Sequence, residues 1–114
     1  MPMLLELKVC NINELMNTDN PEDVRFEFIG LPFTEAGLYH IIQELDIRNT
    51  SDIGILEYQS ECLNIDVCGD DDIIQLNEMI KYIEEELNDA ENVLDKLDEI
   101  NEDLDSGILD MWNF

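Results

Sequence analysis

Positive charge is scarce in this sequence. Five of its 114 residues are lysine or arginine, against 29 aspartates and glutamates, which gives a formal net charge of −24. Small soluble domains are expected to carry a net charge of about 2–8 in magnitude. Proteins hold nucleic-acid phosphates and anionic membrane surfaces through lysine and arginine, so this composition excludes both as direct partners. It predicts that the chain binds a basic surface on another protein.

Cysteine, histidine and glycine are scarce as well. The cysteines Cys10, Cys62 and Cys68 form no C-x-x-C pair, and their odd number without a secretory signal predicts reduced thiols and a cytoplasmic location. His40 is the only histidine, so the sequence offers no recognisable Ser-His-Asp or Cys-His set. A glycine-rich phosphate loop, a calcium-loop spacing and an apolar run long enough to span a bilayer are also missing. We therefore expect no enzymatic activity, no cofactor, no metal and no membrane contact.

Apolar residues are plentiful, at 45% of the chain, so a core can be buried despite the charge. In the first half, alternating apolar and polar residues predict strands over residues 5–10, with Cys10 on the polar face, 24–28 and 53–59. The second strand contains Val24, Phe26 and Phe28, and we expect it to break at Gly30-Leu31-Pro32. Residues 11–23 are predicted as a loop and Thr34 as the cap of a helix. Residues 1–68 thus predict an α+β lobe, a small three-stranded antiparallel sheet with one helix.

The spacing of apolar residues changes near Gly69. From there, two groups recur at intervals of three and four residues, which predicts two helices packed as a pair. The first group is Ile73, Leu76, Ile80, Ile83 and Leu87, and the second is Val93, Leu97, Ile100 and Leu104. Residues 69–114 are therefore predicted to form a small helical lobe.

The acids concentrate in this helical lobe. Residues 1–57 carry 11 acids and 3 bases, for a net charge of −8, whereas residues 58–114 carry 18 acids and 2 bases, for −16. Acids of the last helix recur at helical spacing on one stripe, and Lys96 is the only base there, so the stripe is more than an ordinary solvated face. The surface predicted to bind the partner consists of Asp70, Asp71, Asp72, Glu84, Glu85, Glu91, Asp95, Asp98, Glu99, Glu102 and Asp105.

The C-terminal tail is unusually apolar. Five large apolar residues fall within the last seven, namely Ile108, Leu109, Met111, Trp112 and Phe114. Chain termini are ordinarily polar and frayed. We therefore expect the tail to be buried, either against the helical lobe or in a homodimer whose contact includes Leu109, Trp112 and Phe114.

Four short segments, taken in their order along the chain, carry a family resemblance. They are Phe26-Glu27-Phe28-Ile29-Gly30-Leu31-Pro32, a helix over residues 35–45, Ile55-Leu56-Glu57-Tyr58, and Asp72-Ile73-Ile74-Gln75-Leu76-Asn77-Glu78-Met79-Ile80. In order, spacing and acidity they resemble the ArdA antirestriction proteins of mobile genetic elements. The last segment is similar to the family's I-x-x-L-N helix start, and the resemblance covers residues 5–104.

The resemblance implies an elongated, acidic mimic of bent B-form DNA that occupies the DNA groove of a type I restriction-modification enzyme. It also implies an α+β first lobe followed by a small helical lobe. Family members continue into a third lobe that mediates dimerisation and that this sequence does not include, so pairing in the family's manner stays open.

Two alternatives stay open beside this reading. The same charge pattern suits any DNA-binding groove, so a CRISPR effector or a transcription regulator is an alternative target. The other alternative is an acidic protein-interaction module for a basic partner, with Trp112 at its contact.

Overall fold

A computed structural model describes residues 3–114 and shows a mixed α+β chain. The strands are β1 (Leu5–Asn11), β2 (Glu27–Leu31) and β3 (Ile53–Gln59), and the helices are α1 (Ile12–Asn17), α2 (Glu35–Glu44), α3 (Ile73–Asp89) and α4 (Val93–Ser106). Short 3-10 turns lie at Pro21–Asp23, Thr50–Asp52 and Met111–Asn113. The three strands form an antiparallel sheet in the order β2-β1-β3, and the long helices follow it. The predicted fold class is therefore confirmed.

The central strand β1 follows the predicted alternation as far as Val9, whereas Cys10, predicted on the polar face, is fully buried. Leu5, Leu7 and Val9 are fully buried, whereas Lys8 lies on the opposite face. Lys8 pairs in register with Phe28 of β2, and the ladder with β3 shifts register just after it. One face of the sheet thus covers the core, and the other is open around Lys8 and Phe28 but closed at Cys10.

Strand β2 lies three residues later than the sequence predicts. Its buried residues are Ile29 and Leu31, with Gly30 between them inside the strand, and the strand ends at Leu31, within the predicted break Gly30-Leu31-Pro32. Phe26 and Phe28 are exposed, with their rings edge to face and 5.6 Å apart between centroids. The aliphatic pair meets the core residues of β1, while the aromatic pair stays on the open face, where Lys8 Nζ lies 4.2 Å from the centroid of the Phe26 ring.

The short helix α1 replaces the first part of the predicted loop. Asn11 Oδ1 caps it by accepting a hydrogen bond from Asn13 N at 3.0 Å, and Asn11 Nδ2 donates to the Leu45 carbonyl at 3.2 Å. The polar residues of this segment predict a turn, because side chains that cap a helix are the same ones that favour turns.

Side-chain caps begin the remaining helices. Thr34 Oγ1 accepts a hydrogen bond from Gly37 N at 3.1 Å, which confirms the predicted cap of α2. Asp72 caps α3 and Asn92 caps α4. Helix α4 ends at Gly107, whose φ of 80° is a left-handed conformation that glycine adopts without steric cost.

The core runs from the sheet into the helices without interruption. Leu7 of β1, Ile83 of α3, Ile100 of α4 and Met111 of the last turn belong to the same buried cluster. The molecule measures 48 × 28 × 23 Å along its principal axes. The predicted lobe boundary after residue 68 falls in the segment between β3 and α3, and the division into two lobes stays a prediction. Within residues 3–114, no helix combines the length and apolar character needed to cross a membrane.

Candidate acidic interaction surface

Helix α4 presents its acids to solvent. Five of them are exposed, namely Asp95, Asp98, Glu99, Glu102 and Asp105. On the other side of the helix Ile100 is buried, and Leu97 and Leu104 are half-buried. The predicted stripe is therefore the outer face of α4. Glu91, predicted as its first member, is exposed but precedes the helix, because Asn92 is the cap.

The bases near this surface are engaged by the chain's own acids. Lys96 Nζ lies 3.2 Å from Glu86 Oε2 and 3.6 Å from Glu99 Oε1. The hydrogen bond with Glu86 is the main cause that raises the pKa of Lys96 above its usual range. Lys81 Nζ lies 3.5 Å from Glu78 Oε1 on α3. Of the stripe acids, Lys96 therefore pairs with Glu99, and Lys81 pairs with an acid of α3.

The other predicted acids lie towards the two ends of α3. Glu84 is half-buried and Glu85 is exposed in its last two turns. At the opposite end Asp70 is exposed, and Asp71 Oδ2 accepts a hydrogen bond from Cys68 N at 2.8 Å. Asp72 Oδ1 accepts hydrogen bonds from Ile74 N at 2.8 Å and Gln75 N at 3.4 Å. Asp71 and Asp72 thus have local structural roles in addition to their charge.

Cys68, Asp70 and Asp71 place one potential metal-ligand atom each within 4.8 Å of the others. None of the three is buried, so water solvates them freely. A calcium ion takes about six to eight oxygen ligands, far more than two carboxylates and a thiol supply. This cluster is no basis for assigning a metal site. That the protein binds no metal stays a prediction.

A cleft between the start of α3, the end of α4 and the C-terminal turn joins two parts of the predicted surface. Asp71 from the α3 start and Asp105 from the α4 stripe both line this cleft, which has a volume of about 310 Å³. We call it the tail cleft. Asp66 and Asp110 line it as well. Sequence reasoning missed them because one lies in a segment without periodicity and the other among the apolar residues of the tail.

The tail packs on the chain only in part. Met111 is buried, and the ring of Phe114 lies 5.5 Å from that of Tyr82 between centroids. Leu109 is half-buried against the core, whereas Trp112 is 70% exposed and lines the tail cleft. Packing against the helices is thus confirmed for Met111, and a homodimer through Leu109, Trp112 and Phe114 stays a prediction.

Comparison with protein-family models, curated proteins and solved structures gave no match. The case for a function therefore rests on the charge and geometry of the chain. Its long axis of 48 Å and its 24 net negative charges correspond to one charge per 2.0 Å. Duplex DNA carries one charge per about 1.7 Å of helix axis, counting both strands. The two charge densities are close.

Proposed function

We propose that this protein is an acidic mimic of duplex DNA that inhibits a DNA-binding enzyme by occupying its DNA groove. The observation that carries the proposal is the ratio of net charge to length, on average one net negative charge per 2.0 Å of a folded body 48 Å long. The favoured target is a type I restriction-modification enzyme, which the resemblance to the ArdA antirestriction proteins implies. Inhibition of this kind needs no catalysis and no cofactor, and it takes place in the cytoplasm with the target.

The spacing of single carboxylates on α4 supports the proposal. Asp98 and Glu102 are four residues apart on the exposed face of α4, so they are separated by about 6 Å along the helix axis. Two successive phosphate intervals of one DNA strand span about 7 Å. A basic groove built for phosphates therefore finds carboxylates at a similar interval.

The cost of this arrangement also supports a role in binding. Like charges four residues apart destabilise a helix by about 0.2–0.5 kcal/mol per pair. Asp95 and Glu99 form one such pair, and Asp98 and Glu102 form another. An acidic face with no binding role gains nothing from carboxylates that repel one another. A phosphate mimic needs its carboxylates at this close spacing.

The test is displacement of a labelled DNA duplex from a purified type I methyltransferase core at about 50 and 200 mM salt. We expect the protein to displace the duplex and to bind the core more weakly at the higher salt, because ions screen exposed carboxylates. The affinity of the protein is calculated with the duplex's own affinity at each salt concentration, because that affinity also falls with salt. A protein affinity that is equal at both salt concentrations contradicts electrostatic mimicry.

A pair of variants with equal net charge separates patterned charge from total charge. The stripe variant carries Glu91→Gln, Asp95→Asn, Asp98→Asn and Glu102→Gln. The control variant carries Asp19→Asn, Glu22→Gln, Asp23→Asn and Glu35→Gln, four exposed acids of the first half. We expect the stripe variant to lose inhibition and the control to keep most of it. An equal loss in both variants shows that total charge decides inhibition, and a stripe variant that inhibits as well as wild type shows that the binding surface lies elsewhere.

The same assay separates the alternative targets and the alternative function. Parallel reactions with a CRISPR effector and a transcription regulator show which DNA groove the protein enters. An acidic interaction module is the second candidate, favoured by the exposed indole of Trp112. Such a module binds its basic partner without displacing the duplex.

A further inference from the structure

The tail cleft combines three chemically different surfaces. Three largely buried apolar side chains line part of it, those of Leu76, Met79 and Met111. One part of its lining is the exposed indole of Trp112. Four carboxylates complete the lining, those of Asp66, Asp71, Asp105 and Asp110. Within residues 3–114, no lysine or arginine is among the residues that line it.

The indole of Trp112 is exposed and yet anchored at its backbone. The backbone N–H of Trp112 donates a hydrogen bond of 3.1 Å to Asp110 Oδ1, and the preceding residue, Met111, is buried. Because its backbone is held, Trp112 has only side-chain freedom to lose when it binds a guest. Tryptophan is also among the residues that most often dominate the free energy of protein interfaces. The cleft is therefore suited to hold a side chain of another protein.

The three surfaces together define the chemistry of that guest. Apolar side chains in the lining can pack against a methylene stem. Lysine and arginine bury such stems while their charged ends stay near polar groups. A guanidinium can stack on an indole within about 6 Å of the ring centroid. It can also form two parallel hydrogen bonds with a carboxylate. The cleft volume of about 310 Å³ lies at the lower end of the range of about 300–1,000 Å³ for ligand clefts. That size suits one long side chain.

We propose that the tail cleft receives an arginine side chain of the partner protein, stacked on Trp112 and paired with its aspartates. The proposal rests on the proposed function, since DNA-binding proteins contact phosphates largely through arginine and lysine. It adds an apolar and aromatic contact that a phosphate does not offer. The stripe on α4 attracts the basic groove, and the cleft fixes the register in which the protein sits there.

The experiment uses the full chain and a blocked Gly-Arg-Gly tripeptide, with a Gly-citrulline-Gly tripeptide as the uncharged isostere. Trp112 is the only tryptophan, so the intrinsic fluorescence of the protein reports on the cleft directly. At constant ionic strength of about 150 mM, we expect a saturable change with the arginine peptide. The citrulline peptide should bind about tenfold more weakly or worse, because it loses the charge-assisted hydrogen bonds.

Two matched pairs of variants locate the binding. Asp66→Asn with Asp105→Asn should weaken arginine-peptide binding, whereas Asp95→Asn with Asp98→Asn removes the same charge from outside the cleft lining and should change it less than about twofold. Calorimetry serves for Trp112→Ala, which should weaken binding by about 2- to 30-fold, the range for one cation–π contact. Tyr39→Ala removes another exposed aromatic ring and should have no effect.

Several outcomes overturn the proposal. Equal binding of the citrulline peptide, no effect of Trp112→Ala, or a signal that follows salt without saturating would each do so. A concentration-dependent dimer abolished by Trp112→Ala, without arginine binding, assigns the cleft to a second copy of the chain. Arginine binding without duplex displacement leaves the cleft in place and removes DNA mimicry. Duplex displacement without arginine binding supports DNA mimicry and removes the arginine site in the tail cleft.

Discussion

Asn77 Oδ1 accepts a hydrogen bond of 2.8 Å from the backbone N–H of Phe33, and this bond ties the second turn of α3 to the segment that follows β2. Asn77 is buried. It is the asparagine of the I-x-x-L-N segment that carries part of the family resemblance. A residue that looks like part of a motif at the level of sequence is thus a structural connection between the sheet and the helices.

We expect Asn77→Ala to lower the free energy of unfolding by about 1–3 kcal/mol, because it leaves the partly buried N–H of Phe33 without an acceptor. Asn88→Ala removes an exposed asparagine from the same helix and should change stability by less than about 0.5 kcal/mol. Urea denaturation of both variants checks this. Equal effects of the two substitutions contradict a specific role for Asn77.

Much of the fold follows from the spacing of aliphatic residues. The spacing places β1, β3, α3 and α4 well, because these elements pack aliphatic side chains on one core. It misplaces β2 because Phe26 and Phe28 have the hydropathy of core residues but stack on the open face of the sheet. It misses α1 because the caps of a short helix resemble the polar residues of a turn.

Only part of the candidate surface could be predicted from the sequence. Helical spacing is enough to group Asp98 and Glu102, since a helix fixes which side chains share a face. No local pattern groups Asp66 with Asp105, because they meet at the tail cleft only through tertiary packing. The sequence therefore predicts the stripe on α4 but does not predict the tail cleft.

Neutralising the stripe should stabilise the protein while it weakens inhibition. The variant Asp95→Asn with Asp98→Asn and Glu102→Gln relieves repulsion between exposed carboxylates of α4, worth about 0.2–0.5 kcal/mol per pair. Thermal unfolding at low salt should show a higher midpoint than wild type, and the gain should shrink at about 1 M salt. A lower midpoint at low salt indicates that these acids have structural partners.

The pH dependence of stability should include a contribution from Glu14. Its hydrogen bond with Arg25 is the main cause that lowers the pKa of Glu14 below 4.5. A lowered folded-state pKa stabilises the native state above the unfolded-state pKa, and this contribution is lost as the pH falls through the folded-state value. Wild type should therefore exceed Glu14→Gln in stability at pH 7 and lose the advantage below about pH 4.5.

Glu22→Gln serves as the control for this pH series, because Glu22 is exposed and its backbone N–H, not its carboxylate, makes the local hydrogen bond with Asn20. Its stability difference from wild type should vary less between pH 3 and pH 7 than that of Glu14→Gln. If the two variants show the same pH profile, the Glu14–Arg25 pair contributes nothing specific.

The three cysteines should react with a thiol reagent at separate rates. Cys68 is exposed, Cys62 is half-buried and Cys10 is buried. Burial is the first cause, and the charge of Glu14 the second, that raise the pKa of Cys10 above 9.0. Because the thiolate is the reactive form, Cys10 should be labelled only when the fold opens. Mass spectrometry of partly labelled protein gives the order, and early labelling of Cys10 is incompatible with its burial.

Two adjacent residues of the tail should differ sharply in their effect on stability. Met111→Ala removes a buried side chain and should cost about 2–5 kcal/mol. Trp112→Ala removes a 70% exposed side chain and should lie within about 0.5 kcal/mol of wild type. Chemical denaturation of the two variants makes the comparison. A large loss for Trp112→Ala shows that its indole packs against the chain.

The core that joins β1 to α4 determines how the carboxylates meet a partner. A disordered acidic segment must be ordered as it binds, at the expense of conformational entropy. Here Ile100 is buried in the same cluster as Leu7, so the spacing of the acids on the outer face of α4 is set before any encounter. The protein is thus preorganised. Its association should be a single diffusion-controlled step whose rate rises steeply as the salt concentration falls.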